Sequence, residues 1–464
     1  MVEKMWPKLV EELRKTVGSQ WVVDRKEAML NYLVDETPKP VRPKPSEKVV
    51  LVKPGTKEEV SKILRVANKH KTPVFPRGGG TGLVGGAIPT KSGILLSLER
   101  MNKIIEVDKE NMAIVAEAGV TLKDLIRTTE KKGLFFPLLP GDESAQLGGL
   151  VACNAGGARA IRFGVIRNHV RGVELVLPTG ETLLLGGKHL KDVTGYSLLH
   201  LVVGSQGTLG VITKVVLGLQ PKPGKTLTLV LPYENRGDAI RSVPKILWGS
   251  MPPITIEFVE RELMERSAKQ LGKDWPVKSG RFLLIVVLGG GEEVYSEAER
   301  VDRVARSHNV VETYVLESSA RQQDVLAVRG NIYHVLKPYT LDVLDISVAP
   351  ASVARLLDAL DGIAERYGMY MPVYGHVGDG NLHPHILAES AGGVRENCLD
   401  TVREEIYGVV TSLGGTITAE HGLGKVRVRN IGKYLDSRVL GLMGAIKKVF
   451  DPNNILNPGT IIPE

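Results

Sequence analysis

Three glycine-rich loops constrain what this chain can fold into more than any other feature of it. The first, Pro76-Arg77-Gly78-Gly79-Gly80-Thr81-Gly82-Leu83, follows an apolar stretch read as a strand at 73–75. The second runs Pro140-Gly141-Asp142-Glu143-Ser144-Ala145-Gln146-Leu147-Gly148-Gly149 and continues through Asn154-Ala155-Gly156-Gly157. The third, Gly204-Ser205-Gln206-Gly207-Thr208-Leu209-Gly210, leads into a strand at 211–219 that carries Ile212. Glycine lacks a Cβ, so successive backbone amides can converge on an anion without help from side chains. One such loop is an ordinary tight turn. Three call for a ligand long enough to meet them all, a dinucleotide with its pyrophosphate on one loop and its ring system on another.

The segment Gly80-Thr81-Gly82-Leu83-Val84-Gly85 matches the G-x-G-x-x-G spacing of a nicotinamide-dinucleotide fold, and Glu99 lies where a ribose-binding acid is sought. That fingerprint must open a helix. Here Gly86-Ala87-Ile88-Pro89 follows, and proline with glycine cannot build the required turns. FAD is the dinucleotide that fits. The positions expected to contact it are Pro76 to Leu83 in the first loop, Pro140, Gly141, Ser144, Gly148, Gly149, Asn154 and Gly157 in the second, Gly207 and Ile212 in the third, and Asn457 in the tail.

At 464 residues, and about 100–200 residues per domain, the chain holds two or three domains. Residues 1–44 read as a helical segment reaching about Asp35, then a linker broken by Pro38, Pro40 and Pro43. The span 45–221 alternates short strands (49–52, 73–75, 94–97, 104–107, 113–116) with helices. Thr56 and Glu59 form a capping box for one helix, and Thr121 caps another. Gln220-Pro221-Lys222-Pro223-Gly224 is a second hinge. Longer strands (227–231, 254–259, 282–288, 343–348) and helices such as 353–367 then suggest a substrate domain, 222–440, built as a sheet covered on one face by helices. The turn-rich end, 441–464, is expected to return to the first domain. The class is α+β.

Tyr374-Gly375-His376 and Asn381-Leu382-His383-Pro384-His385 concentrate three of the ten histidines in one turn between extended segments. Neutral imidazoles bind divalent metals, and a third ligand from elsewhere with open positions makes such a site catalytic. Glu420, followed by His421, is the best candidate.

Together these motifs resemble the FAD-linked D-lactate and glycolate dehydrogenases of the vanillyl-alcohol oxidase superfamily, in order and over nearly the whole chain. The resemblance implies a vanillyl-alcohol-oxidase-type FAD-binding domain with an α+β cap. It implies non-covalent FAD, because Thr81 stands where flavin-linking relatives carry histidine. It implies a metal on His376, His383 and Glu420 (zinc, manganese or iron), with His421 as the base and Arg329 on the substrate carboxylate. Asn381 joins the substrate site, and Lys337 is the nearest substitute for a second carboxylate-binding cation. The implied reaction oxidises a small D-2-hydroxy acid, passing electrons to electron-transfer flavoprotein or another carrier. His385 is read as a packing residue.

A net charge of +8 is spread among acids rather than gathered in a tract, so a nucleic-acid partner is not expected, and peripheral membrane contact is left open. Cys153 and Cys398 are too few and too far apart for a disulfide framework. No apolar run approaches the roughly 20 residues that span a bilayer, and the opening residues lack the apolar core of a secretory signal. A cytoplasmic enzyme is expected. The competing reading is a metal-dependent hydrolase that uses His376, His383 and Glu420 without flavin.

Overall fold

The computed structural model describes residues 2–463. Helix Val2–Val17 ends at Gly18, whose φ of 90° leaves the helical region. The helix expected to run to Asp35 is therefore shorter, and short 3-10 turns and the strand Val22–Val23 replace its second half. Strands Val49–Val52, Gly93–Ser97 and Val74–Arg77 form a parallel group, with Val22–Val23 antiparallel at its edge. The crossover helix Lys57–His70 starts where Thr56 accepts a hydrogen bond from the Glu59 N–H. Glu59 reaches back to the Gly55 N–H, one residue earlier than a strict capping box. Its buried stripe, Val60, Ile63, Leu64 and Ala67, follows the helical period and packs into the first core. A second, antiparallel sheet joins Ile104–Asp108, Ala113–Glu117, Val211–Gly218, Val170–Val176 and Thr182–Gly186. The tail pairs beside Val74, whose N–H donates to Ile455 and whose carbonyl accepts from the Asn457 N–H.

After Gly224 the chain builds an antiparallel sheet whose central strands are Lys225–Tyr233, Phe282–Gly290, Thr255–Glu260, Val373–His376 and Asn381–Leu387. Its alternation positions the site. Ile256, Phe258, Leu284, Val286, Leu382 and Ile386 point to one face, where helices Arg236–Leu247, Glu293–Arg306 and Val353–Arg366 bury them. The other face is not bare: helices Arg261–Gln270 and Ser319–Gly330 cover part of it through Leu263, Met264, Val325 and Val328. On that second face the same alternation places Glu257, Tyr374, His376 and His383. The strand expected at 343–348 is broken into Thr340–Val343 and Ile346–Ser347, with Asp345 turned toward Thr418 between them.

Candidate active site

A cavity of ≈ 1060 Å3 runs between the two halves, lined by all three glycine loops on one side and by Glu257, Arg329, Tyr374, His376, His383, Glu420 and His421 on the other. At its glycine end the walls are backbone. Gly157 holds φ 126°, and a Cβ there would stand 2.1 Å from the Leu139 carbonyl oxygen. Gly80 at φ 75° lies over the Arg77 guanidinium, which a Cβ would meet at 2.1 Å. Arg77 is buried, its Nη2 donates to the Asn31 carbonyl at 3.1 Å, and its Nη1 has no partner among the described residues. An unpaired buried guanidinium nitrogen beneath a glycine loop suits an anionic ligand. The residues present therefore fit a dinucleotide.

At the other end, three imidazoles surround one carboxylate oxygen. Glu420 Oε1 stands 3.6 Å from His376 Nε2, 3.5 Å from His383 Nε2 and 3.7 Å from His421 Nε2. Each ring faces a buried carboxylate with its other nitrogen: His376 Nδ1 meets Glu257 Oε1 at 2.6 Å, while His383 Nδ1 and His421 Nδ1 lie 3.8 and 4.0 Å from Asp345. The register that sets Phe258 opposite Gly375 puts Glu257 beside His376. Arg329, near the end of its helix, stacks over Tyr374 and stands 2.5 Å from Glu257 Oε2, though its Nε makes no hydrogen bond among the described residues.

Burial raises the Glu257 carboxyl, but Arg329 and His376 outweigh it and hold it down at about 2. Burial likewise opposes charge on His376, yet Glu257 and Glu420 raise it well above an ordinary imidazole. Burial and the neighbouring imidazoles of His421 and His376 push His383 well below that value, so it is neutral with a lone pair to offer. His385 lies deeper, bonded to Thr340 and Tyr374 and pushed down to about 3 by burial. Three imidazole nitrogens and a carboxylate oxygen form a donor set that suits zinc, manganese or iron.

The two ends are tied together. A Cβ at Gly156 would come within 2.8 Å of Glu420 Oε2, so a side chain there would press on the carboxylate. Gln206 in the third loop accepts from the Gly424 N–H at 2.9 Å, and Asn457 donates to the carbonyls of Gly86 and Gln206.

Residues 49–186 match the FAD binding domain family, and residues 222–461 match the C-terminal domain of FAD linked oxidases. A D-lactate dehydrogenase of Archaeoglobus fulgidus is 41% identical over 431 residues, covering 93% of this chain and 95% of that protein. The glycolate oxidase subunit GlcD of Bacillus subtilis is 34% identical, covering 97% and 95%. The chain belongs to the FAD-linked D-lactate and glycolate dehydrogenase family. Among solved structures, p-cresol methylhydroxylase has the same fold (TM-score 0.80, 18% identity, 99% of this chain and 97% of that one), as does 4-ethylphenol oxidase from Gulosibacter chungangensis (TM-score 0.78, 20% identity, 99% and 98%).

As a member of this family the chain is an FAD-dependent oxidoreductase, and the reading as a flavin-free hydrolase falls with the FAD-domain match. The structure brings most of the expected residues of this FAD-linked oxidase to the cavity and leaves four outside its lining. Asn154 caps helix Leu147–Cys153 in the left-handed region (φ 52°), and its side chain accepts from the Arg167 N–H instead. Ser144 lies in a turn closed by Asp142. Lys337 is paired with Glu36. Asn381 is buried with its amide donating to Asp345 and the Ile346 carbonyl. Sequence reasoning missed Glu257, Asp345 and Gln206. An acid at an inward position of an apolar strand, as in Ile254-Thr255-Ile256-Glu257-Phe258, was the available signal for the first. No helix among the described residues is long and apolar enough to cross a membrane.

Proposed function

We propose that this enzyme oxidises a small D-2-hydroxy acid, D-lactate or glycolate, to the 2-oxo acid at the junction of residues 45–221 and 222–440, with 441–464 packing back on the first half. The observation that carries the reading is the convergence of three imidazole Nε2 atoms on Glu420 Oε1 at 3.5–3.7 Å, inside the cavity that the glycine loops line. The names of the relatives support the substrate class.

Non-covalently bound FAD would supply the acceptor for the hydride leaving C2, and His376, His383 and Glu420 would hold a divalent cation whose positive charge would favour the developing alkoxide. The residues do the rest. His421, with Nε2 turned to the cavity side of the cluster, accepts the hydroxyl proton. Arg329 presents a planar guanidinium to the substrate carboxylate, oriented by Tyr374 below and Glu257 beside it. Lys337 lies outside the cavity lining and is neutralised by Glu36 at its wall, which favours a monocarboxylate over a dicarboxylate. The two electrons then pass to electron-transfer flavoprotein or another carrier.

The test is the visible spectrum of the purified protein during anaerobic addition of D-lactate, then glycolate, with metal supplied. Bleaching of the flavin bands is expected with at least one. Flavin bands that persist with both acids would refute the substrate class.

A further inference from the structure

The two carboxylates behind the histidines have unlike surroundings. Glu257 meets a guanidinium and an imidazole. Asp345 meets neutral donors: its Oδ2 accepts from the N–H groups of Ala419, Glu420 and His421 at 2.8, 2.8 and 2.7 Å and from Thr418 Oγ1 at 3.0 Å. Its Oδ1 accepts from Asn381 Nδ2 at 2.9 Å. Three consecutive amides closing on one oxygen form an anion nest. Although the Asp345 oxygens lie within 4.8 Å of ligand atoms on His383, Glu420 and His421, these donors already occupy them. What the nest does is fix the turn at 418–421, and so the direction in which Glu420 and His421 leave it.

The same carboxylate faces two rings. His383 and His421 stack with centroids 5.2 Å apart and planes 12° from parallel, which turns both Nδ1 atoms toward Asp345. Both nitrogens are buried and without a hydrogen-bond partner among the described residues.

We propose that Asp345 is a positioning residue that locks the turn at 418–421 and so aims Glu420 and His421 into the cavity. The use made of Glu420 rests on the metal reading above; the locked turn does not.

The test uses the full chain with FAD bound and the variant Asp345→Asn, which keeps the shape and removes the charge. Three properties are measured: hydrogen exchange at the 419–421 amides, zinc affinity by chelator competition with ZnCl2, and flavin absorbance. Expected are faster exchange at those three amides and zinc binding weakened about 10–100-fold at unchanged flavin absorbance. Exchange and zinc affinity equal to the parent protein would overturn the proposal, as would loss of flavin in step with zinc. If Asp345→Asn does not fold, Thr418→Val removes one donor to the nest; zinc binding about 5-fold weaker is expected, and unchanged affinity overturns the role. A parent protein that binds neither ZnCl2 nor MnCl2 removes the metal reading alone, and amide exchange at 419–421 still decides Asp345.

Discussion

The two ends of the cavity hold their ligands by opposite means. At the glycine end, space is the resource: Gly80, Gly148 and Gly157 leave room where a Cβ would strike Arg77, Ala118 or Leu139 within 2.1–2.7 Å, and the Arg77 guanidinium lies buried beneath the first loop. At the histidine end, charge is the resource: Arg329, Glu257, His376, Glu420, His383, His421 and Asp345 form a continuous run of ionisable groups, four of them buried and His376, Glu420 and His421 part-buried. A steric change should therefore damage the first end, and a charge or proton change the second, with little crossing between them.

His421→Ala carries the largest expected effect. Removing a base lowers the rate by about 10^2–10^4-fold, and flavin content should stay at the parent level because His421 reaches the glycine loops only through the cavity. Anaerobic flavin reduction by D-lactate, read beside metal content, checks this. Retained metal with lost reduction assigns His421 the proton. Lost metal would instead make His421 a ligand, as its 3.7 Å approach to Glu420 Oε1 also permits.

The same contrast explains what the sequence displayed. A ligand held by backbone demands glycine, and glycine is visible in a sequence, so the loops and their cofactor could be read directly. A ligand held by charge depends on which acids face inward, and that depends on register. Glu257 lies in an apolar strand where alternation alone does not say which face is wet; only pairing with His376 reveals it. Asp345 was hidden because 343–348 reads as one continuous strand, whereas Leu344 and Asp345 lie between two short strands and Asp345 pairs with Thr418 and the amides that follow it. Proximity in sequence misled in the other direction: Asn154 adjoins the second loop, but its left-handed φ of 52° turns the side chain away from the cavity lining.

Gly157→Ala tests the glycine end and should produce the next largest effect. Its φ of 126° and the 2.1 Å approach to the Leu139 oxygen make any side chain both strained and overlapping; strained backbone alone costs of order 1–3 kcal/mol. The expected outcome is a folded protein with reduced FAD content and a lower melting temperature, whose zinc affinity is close to that of the parent. A variant that keeps its flavin but loses zinc would break the division between the two ends.

The smallest effect is a change of a few degrees in melting temperature with pH, and it isolates charge at the histidine end in metal-stripped protein. Glu257, held at about 2 against an ordinary 4.5, stabilises the fold fully above pH 4.5 and loses that contribution as pH falls toward about 2. His376, raised above its ordinary 6.5, stabilises the fold fully below pH 6.5 and loses that contribution as pH rises through its higher folded value. The pair is therefore at full strength only between pH 4.5 and 6.5. Glu257→Gln removes the carboxylate that both shifts depend on. The melting-temperature difference between parent and variant should be greatest in that window and shrink on either side, because outside it the parent loses one of its two charges. A difference independent of pH would mean that Glu257 serves by shape, as the glycines do, and the two ends would no longer be distinct in kind.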